Sequence, residues 1–146
     1  MNEKVKFWLI KAFEDYMSIK TLLNSPQMEY TTGIICFHSQ QMVEKLLKAF
    51  LTYHNTQFPR THLLETLTQI CLELDENFKS LNLKDLSVYA VEVRYPDEFN
   101  IPSIAEANEC VEIASQVKDF ILRKLSISED EILQWLREVK QKSEVE

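Results

Sequence analysis

CFHSQQMVEKLLKAF, residues 36–50, is the stretch that most strongly indicates the fold. On a projection of 100° per residue, apolar side chains occupy one half of the surrounding helix and polar ones the other half. The apolar half holds Ile35, Met42, Val43, Leu46, Ala49, Phe50 and Tyr53. The polar half holds His38, Gln40, Gln41, Glu44, Lys45 and Lys48. This pattern predicts a helix over about residues 30–54, with a polar side too varied for a merely solvated surface.

The first half of the chain carries two further helix signals. Apolar residues spaced by three and four predict a first helix over about residues 4–24, which Asn24, Ser25 and Pro26 end. A loop over residues 55–60 follows the second helix, and Thr61 is the predicted N-cap of a third helix that runs to about Leu74.

The second half of the chain carries three more helix signals. The pattern over residues 83–94 predicts a fourth helix, ended by Pro96 because a residue before proline is pushed out of the α region. Ser103 with Glu106 is a capping box that opens a long helix to about Leu125. Ser128 and Glu131 repeat that signature before a last helix over about residues 129–142.

These signals together predict an all-α protein. Since no segment alternates with period two and the connections are short, we expect an antiparallel four- to five-helix bundle with an extra C-terminal helix. Residues 1–125 would form the bundle, and residues 126–146 a helical extension with a charged tail.

Composition narrows the function. The 146 residues carry a net charge of -7, so a nucleic-acid site must be a local basic patch on an acidic protein. Cys36, Cys71 and Cys110 lie far apart among apolar residues, which is typical of reduced thiols in a core. Without a leader-like or membrane-spanning run of apolar residues, we expect a soluble, cytoplasmic protein with no membrane partner.

Several enzyme classes lack their motifs here. Gly33 is the only glycine, which excludes the glycine-rich phosphate loops. None of His38, His54 and His62 has a Glu three positions earlier, as di-iron bundles require, and Cys-x-x-Cys is absent. We therefore expect neither a metal nor a cofactor.

Three polar segments remain, on the second helix, at residues 60–62 and at residues 94–100. Read in order, FHSQQMVEKLLK, FPRTH and RYPDEF resemble the HEPN domain family over about residues 11–125. The resemblance implies an antiparallel helical bundle, usually a homodimer, encoded in many prokaryotes beside a minimal nucleotidyltransferase. Some members are metal-independent endoribonuclease toxins, and others are known only to bind nucleotides.

The resemblance also assigns residues. Ribonuclease members carry an Arg followed four to six residues later by a His. Arg94 matches the Arg, whereas Phe99 or Asn100 stands where the His is expected, and Asn does not exchange a proton near neutral pH. Catalysis by Arg94 would need another base, for which His38 and His62 are the candidates. The predicted nucleotide- or RNA-binding residues are His38, Gln41, Lys45, Lys48, Arg60, His62, Arg94 and Tyr95.

The polar residues of the second helix and His62 also have simpler, structural interpretations. Glu44 and Lys48, four residues apart, form a surface ion pair in the simplest interpretation. His38 would bond across the bundle, and His62 would position the start of the third helix. Three functions are open: a nucleotide- or RNA-binding module with a nucleotidyltransferase partner in a toxin–antitoxin-like system, a metal-independent endoribonuclease, and a structural dimerisation module.

Overall fold

The computed structural model describes residues 1–91 and 100–145 of the chain. Within these ranges the regular structure is entirely helical, which confirms the predicted all-α class. The α-helices are α1 (Glu3–Leu23), α2 (Thr32–Tyr53), α3 (Leu64–Leu74), α4 (Ile104–Leu125) and α5 (Glu129–Val145). Short 3₁₀ helices cover Met28–Tyr30, Glu76–Ser80 and Leu86–Tyr89.

Helix α2 lies at the centre of the bundle. It packs against α1, α3 and α4, and residues Leu46 to Leu51 are all buried, Lys48 included. A short aromatic stack links α2 to α4, because Phe78 packs edge-on against both Phe50 and Phe120 with ring centroids 4.8 Å apart in each case. Burial of such large side chains is the main force that holds the helices together.

Two of the predicted helix starts are confirmed by their caps. The Ser103 hydroxyl accepts a hydrogen bond from the Glu106 N–H at 3.0 Å, and the Ser128 hydroxyl accepts one from the Glu131 N–H at 3.2 Å. Between them, α4 ends at Ser126, whose φ of 55° is the left-handed conformation typical of a helix C-terminus.

The start of the third helix differs from the prediction. Helix α3 begins at Leu64, three residues after Thr61. The Thr61 hydroxyl accepts a hydrogen bond from the Leu63 N–H at 3.0 Å and so forms a turn ahead of the helix. The Leu64 N–H instead finds its partner in the Ser87 hydroxyl at 3.0 Å. A side chain from a distant segment therefore replaces the predicted local cap.

The predicted fourth helix over residues 83–94 is wrong in its described part. Residues 83–91 form a turn and the 3₁₀ helix Leu86–Tyr89, and residues 92–94 lie outside the described residues. Lys84 has a φ of 48°, and its N–H bonds to the Asn82 side chain at 3.0 Å. A left-handed residue at this point prevents an α-helix from running through the segment.

Helix α5 packs chiefly against α1 and buries Ile132. Its first residue, Glu129, accepts a hydrogen bond from the buried Lys118 on α4 at 2.9 Å. Burial lowers the pKa of Lys118, but the hydrogen bonds with Glu129 and Tyr16 outweigh burial and raise it. None of the helices described in residues 1–91 and 100–145 is long and apolar enough to cross a membrane.

Candidate functional site

The first polar cluster joins α1 to α2. Asp15 on α1 is buried, and its two carboxylate oxygens bind two side chains of α2. Oδ1 lies 2.8 Å from His38 Nδ1, and Oδ2 lies 2.7 Å from Lys45 Nζ. The side chains of His38 and Lys45 keep 26% and 19% of their surface exposed. We call these three residues the Asp15 cluster; its carboxylate and its ammonium group balance in charge.

The second cluster joins α2 to the segment ahead of α3. Glu44 is buried, and its carboxylate lies 2.9 Å from both Lys48 Nζ and His62 Nδ1. Lys48 is also buried, and its Nζ lies 5.3 Å from the Trp8 ring centroid, a cation–π contact. We call Glu44, Lys48 and His62 the Glu44 cluster. Its buried carboxylate and ammonium group again balance.

Two glutamines of α2 extend the Glu44 cluster. Gln40 is completely buried and donates through Nε2 to the backbone carbonyl of His62 at 3.0 Å. Its Oε1 accepts a hydrogen bond from Gln41 Nε2 at 2.7 Å. Every buried side-chain nitrogen and oxygen in the described residues has a hydrogen-bond partner. The polar side of α2 is therefore a fully bonded network inside the bundle.

The contacts in this network test the simpler structural interpretations of the Glu44–Lys48 pair, His38 and His62. Glu44 and Lys48 do form an ion pair, but the expectation that it lies on the surface is wrong, because the two side chains are only 4% and 9% exposed. His38 does bond across the bundle, to a carboxylate of α1. His62 lies before α3, where its backbone and its ring both bond to α2.

The outer edge of the Glu44 cluster is where polar groups reach solvent. The His62 side chain is 69% exposed although its Nδ1 is bonded to Glu44. The other ring nitrogen, Nε2, is therefore the one available to a ligand. Arg60, two residues earlier, is also exposed. One short segment outside the helices thus carries both an exposed imidazole and an exposed guanidinium.

The sequence profile of the HEPN domain family matches residues 5–125. The chain belongs to the HEPN domain family. No curated protein and no solved structure matches it significantly.

The structure places the predicted site residues as follows. Arg94 and Tyr95, both predicted to bind RNA or nucleotide, lie outside the described residues. Asn100, at the position where a ribonuclease His is expected, is exposed. His38, Gln41, Lys45, Lys48 and His62 all belong to the network described above, and Arg60 lies at its edge. In residues 1–91 and 100–145 no group of three His, Cys, Asp or Glu side chains converges as metal ligands would.

Sequence reasoning missed Asp15, which holds the first cluster together. One signal was available, because Asp15 lies three residues after Ala12 and four before Ile19, both of which are buried. A carboxylate in the middle of a helix's apolar stripe is expected to be buried, and a buried carboxylate needs a cationic partner. Gln40 was noted among polar residues of the helix but not as the link to His62.

Proposed function

We propose that this HEPN protein binds the phosphate of a nucleotide or of RNA through Arg60 and His62, together with Arg94 and Tyr95. The observation that supports this most directly is the 2.9 Å contact between Glu44 and His62 Nδ1, in a histidine that is 69% exposed. It fixes one edge of the ring and leaves Nε2 at the surface, two residues along the chain from the exposed Arg60, and an imidazole and a guanidinium both suit a phosphate oxygen.

The other predicted binding residues take a supporting role in this proposal. Lys48 is bonded to Glu44, and Gln41 is bonded to Gln40. Both bonds stabilise the α2 side chains that contact His62. His38 and Lys45, both partly exposed, extend the polar surface along α2. Local positive charge at Arg60 is needed because the protein as a whole is acidic.

Binding is tested with fluorescein-labelled single-stranded RNA by anisotropy and with ATP by calorimetry. We expect Arg60→Ala and His62→Ala each to weaken binding about tenfold, since a charge-assisted hydrogen bond contributes roughly 1.5–3 kcal/mol. Arg137→Ala is the matched control, because it removes one exposed arginine on α5 and changes the net charge equally. If all three variants bind as the wild type does, Arg60 and His62 are not the site.

We also propose that the protein acts as a homodimer with a nucleotidyltransferase partner, in a toxin–antitoxin-like pair. Membership of the HEPN family supports this proposal. Light scattering after size exclusion measures the oligomer. Co-expression and co-purification with a minimal nucleotidyltransferase from a neighbouring gene tests the partner. A monomer contradicts the dimer; failure to co-purify, or the absence of such a neighbouring gene, contradicts the partner.

A metal-independent endoribonuclease is the second candidate function. It is favoured by the carboxylate–imidazole pair of Glu44 and His62, an arrangement that orients a histidine for proton transfer. In this reaction His62 would accept the 2′-hydroxyl proton and Arg94 would stabilise charge on the phosphorus. End-labelled RNA incubated in EDTA should give discrete products with wild type and none with Arg94→Ala or His62→Ala. Uncut RNA with wild type contradicts this candidate.

The structural alternative predicts a different phenotype. If the protein is a dimerisation module, alanine at Glu44 or Lys45 lowers stability or separates the dimer, while no ligand binds at all. Urea unfolding and light scattering on these variants, set beside the RNA titration, distinguish this outcome from the two above.

A further inference from the structure

Two aromatic side chains lie beside the Glu44 cluster. Trp8 on α1 and Phe58, in the segment that leads to Arg60, approach each other with ring centroids 6.4 Å apart and ring planes inclined by 62°. Both rings pack against the core, and both keep part of their surface in solvent. An edge-to-face contact of this kind favours one relative orientation of the two rings, so the pair forms a defined apolar surface next to polar groups.

Lys48 connects this aromatic pair to His62. Its Nζ lies 5.3 Å from the centroid of the Trp8 ring and 2.9 Å from Glu44 Oε2. The other oxygen of the same carboxylate, Oε1, lies 2.9 Å from His62 Nδ1. One ammonium group and one carboxylate therefore bridge the Trp8 ring and the imidazole.

The backbone places Phe58 near the same polar groups. Residues 56–63 form no helix, and Phe58 precedes Arg60 by two residues in this segment. Two residues of chain span at most about 7 Å, a distance comparable to the length of one nucleotide. An aromatic ring, a guanidinium and an imidazole thus follow one another in a short segment that contacts Trp8.

We propose that Trp8 and Phe58 pack against an unpaired nucleobase whose phosphate lies in the proposed phosphate site. Every base has a face that stacks on an aromatic ring, so these side chains suit single-stranded RNA and free nucleotides, whereas the bases of a duplex are stacked on one another. This assignment rests on the proposed function, which names contacts to the phosphate alone. The ligand is then a phosphate that carries a base, rather than any phosphate.

A second tryptophan provides the matched control. Trp135 on α5 is also partly exposed, and it too has a lysine near its ring, with Lys6 Nζ 5.0 Å from the ring centroid. Residues two apart on an α-helix point to different sides, so Lys6 and Trp135 do not share the side of α1 on which Trp8 lies. The two tryptophans therefore match in exposure and in their cation–π contact but differ in position.

Tryptophan fluorescence tests the contact without altering the site. In Trp135→Phe, Trp8 is the only tryptophan of the chain. We expect ATP to quench its emission because the base stacks on the indole, and inorganic tripolyphosphate, which has no base, to leave it unchanged. In Trp8→Phe the emission comes from Trp135 and should respond to neither compound.

RNA affinity gives the second measurement. We expect Trp8→Leu to bind fluorescein-labelled single-stranded RNA about tenfold more weakly, since the loss of one stacked base has an effect of this order. Trp135→Leu should bind as the wild type does. An abasic oligonucleotide of the same length should bind the wild type weakly and should not distinguish the two variants.

The outcomes separate the base contact from the phosphate contact. A wild type that binds neither RNA nor ATP overturns the proposed function and the base contact together. If RNA and the abasic oligonucleotide bind equally and ATP leaves the emission of Trp8 unchanged, the phosphate site stands and the base contact is overturned. The fluorescence of Trp135→Phe decides the question even if Trp8→Leu fails to fold.

Discussion

The Asp15 and Glu44 clusters each combine a carboxylate, a histidine and a lysine, but they differ in which of these groups is exposed to solvent. In each, a buried carboxylate binds a histidine through Nδ1 and a lysine through Nζ, with distances of 2.7 to 2.9 Å. His38 is 26% exposed, whereas His62 is 69% exposed. For the lysines the order is reversed, since Lys45 is 19% and Lys48 is 9% exposed.

The cause of this difference is the chain context of each histidine. His38 belongs to α2 and faces α1, so the neighbouring helix covers much of its ring. His62 lies before the first turn of α3, and only its Nδ1 edge meets α2. The carboxylate, imidazole and ammonium groups therefore join two helices in the Asp15 cluster, whereas the Glu44 cluster leaves its imidazole at the surface.

The largest effect is expected for Glu44→Gln. This change removes the negative charge that balances Lys48, which is buried and cannot reach water easily. An uncompensated buried charge costs about 3–5 kcal/mol of unfolding free energy. Urea denaturation measures the loss. Glu14→Gln, which breaks an exposed pair with Lys11, is the control and should change stability far less. Equal losses in the two variants would contradict the buried ion pair.

Asp15→Asn should cost less than Glu44→Gln, about 1–3 kcal/mol. The lysine that it leaves behind, Lys45, keeps more of its surface in water, and the asparagine oxygen still accepts one hydrogen bond. The same urea experiment orders the two variants. A greater loss for Asp15→Asn would show that exposure of the lysine does not set the cost.

The two histidines should separate stability from binding. His38→Ala removes a bond between α1 and α2 and should lower the unfolding free energy by about 1 kcal/mol, with RNA affinity little changed. His62→Ala takes one partner from the buried Glu44 and should lower the unfolding free energy by a similar amount, about 1 kcal/mol, but it should also weaken RNA binding about tenfold. Urea unfolding and anisotropy on the same samples test this. If the two variants behave alike, the clusters do not differ in role.

The smallest effect is expected at the ion pair of Asp75 and Lys124, whose carboxylate and ammonium group lie 2.7 Å apart. The hydrogen bond from Lys124 holds the pKa of Asp75 below its ordinary value of 3.8. Such a carboxylate stabilises the fold above about pH 4, and the contribution is lost as pH falls through the lowered pKa. In Lys124→Met, the Asp75 pKa measured by NMR titration should return toward 3.8. A pKa that stays low would assign the shift to the Asn77 N–H instead.

Sequence patterns predicted the elements that are determined locally. The spacing of apolar residues gives α1 and α2 nearly to their ends, and the capping boxes at Ser103 and Ser128 mark α4 and α5. The helix predicted over residues 83–94 failed in its described part because Lys84 adopts a left-handed conformation and Ser87 bonds to the start of α3. The contact between Ser87 and the start of α3 forms only in the tertiary structure, so local sequence patterns do not reveal it.

The candidate site was predictable in its residue types but not in its partners. His38, Lys45, Lys48 and His62 stand out as polar residues in a family-like pattern. The varied polar half of the projection indicated more than a solvated surface, but it did not show that α1 and the segment ahead of α3 bury Gln40, Glu44 and Lys48. Burial of a polar stripe depends on what packs over it, and Asp15 is distant in sequence from every residue that it binds.

The unequal packing of the helices sets the order in which they open. Helix α2 contacts α1, α3 and α4, so we expect its central amide hydrogens to exchange with solvent chiefly through unfolding of the whole bundle. Helix α5 rests chiefly on α1, with Ile132 its one buried side chain among the described residues. Its amides should exchange through local detachment, at a free energy well below that of global unfolding. The bundle can thus release its C-terminal helix while the network around Glu44 stays closed.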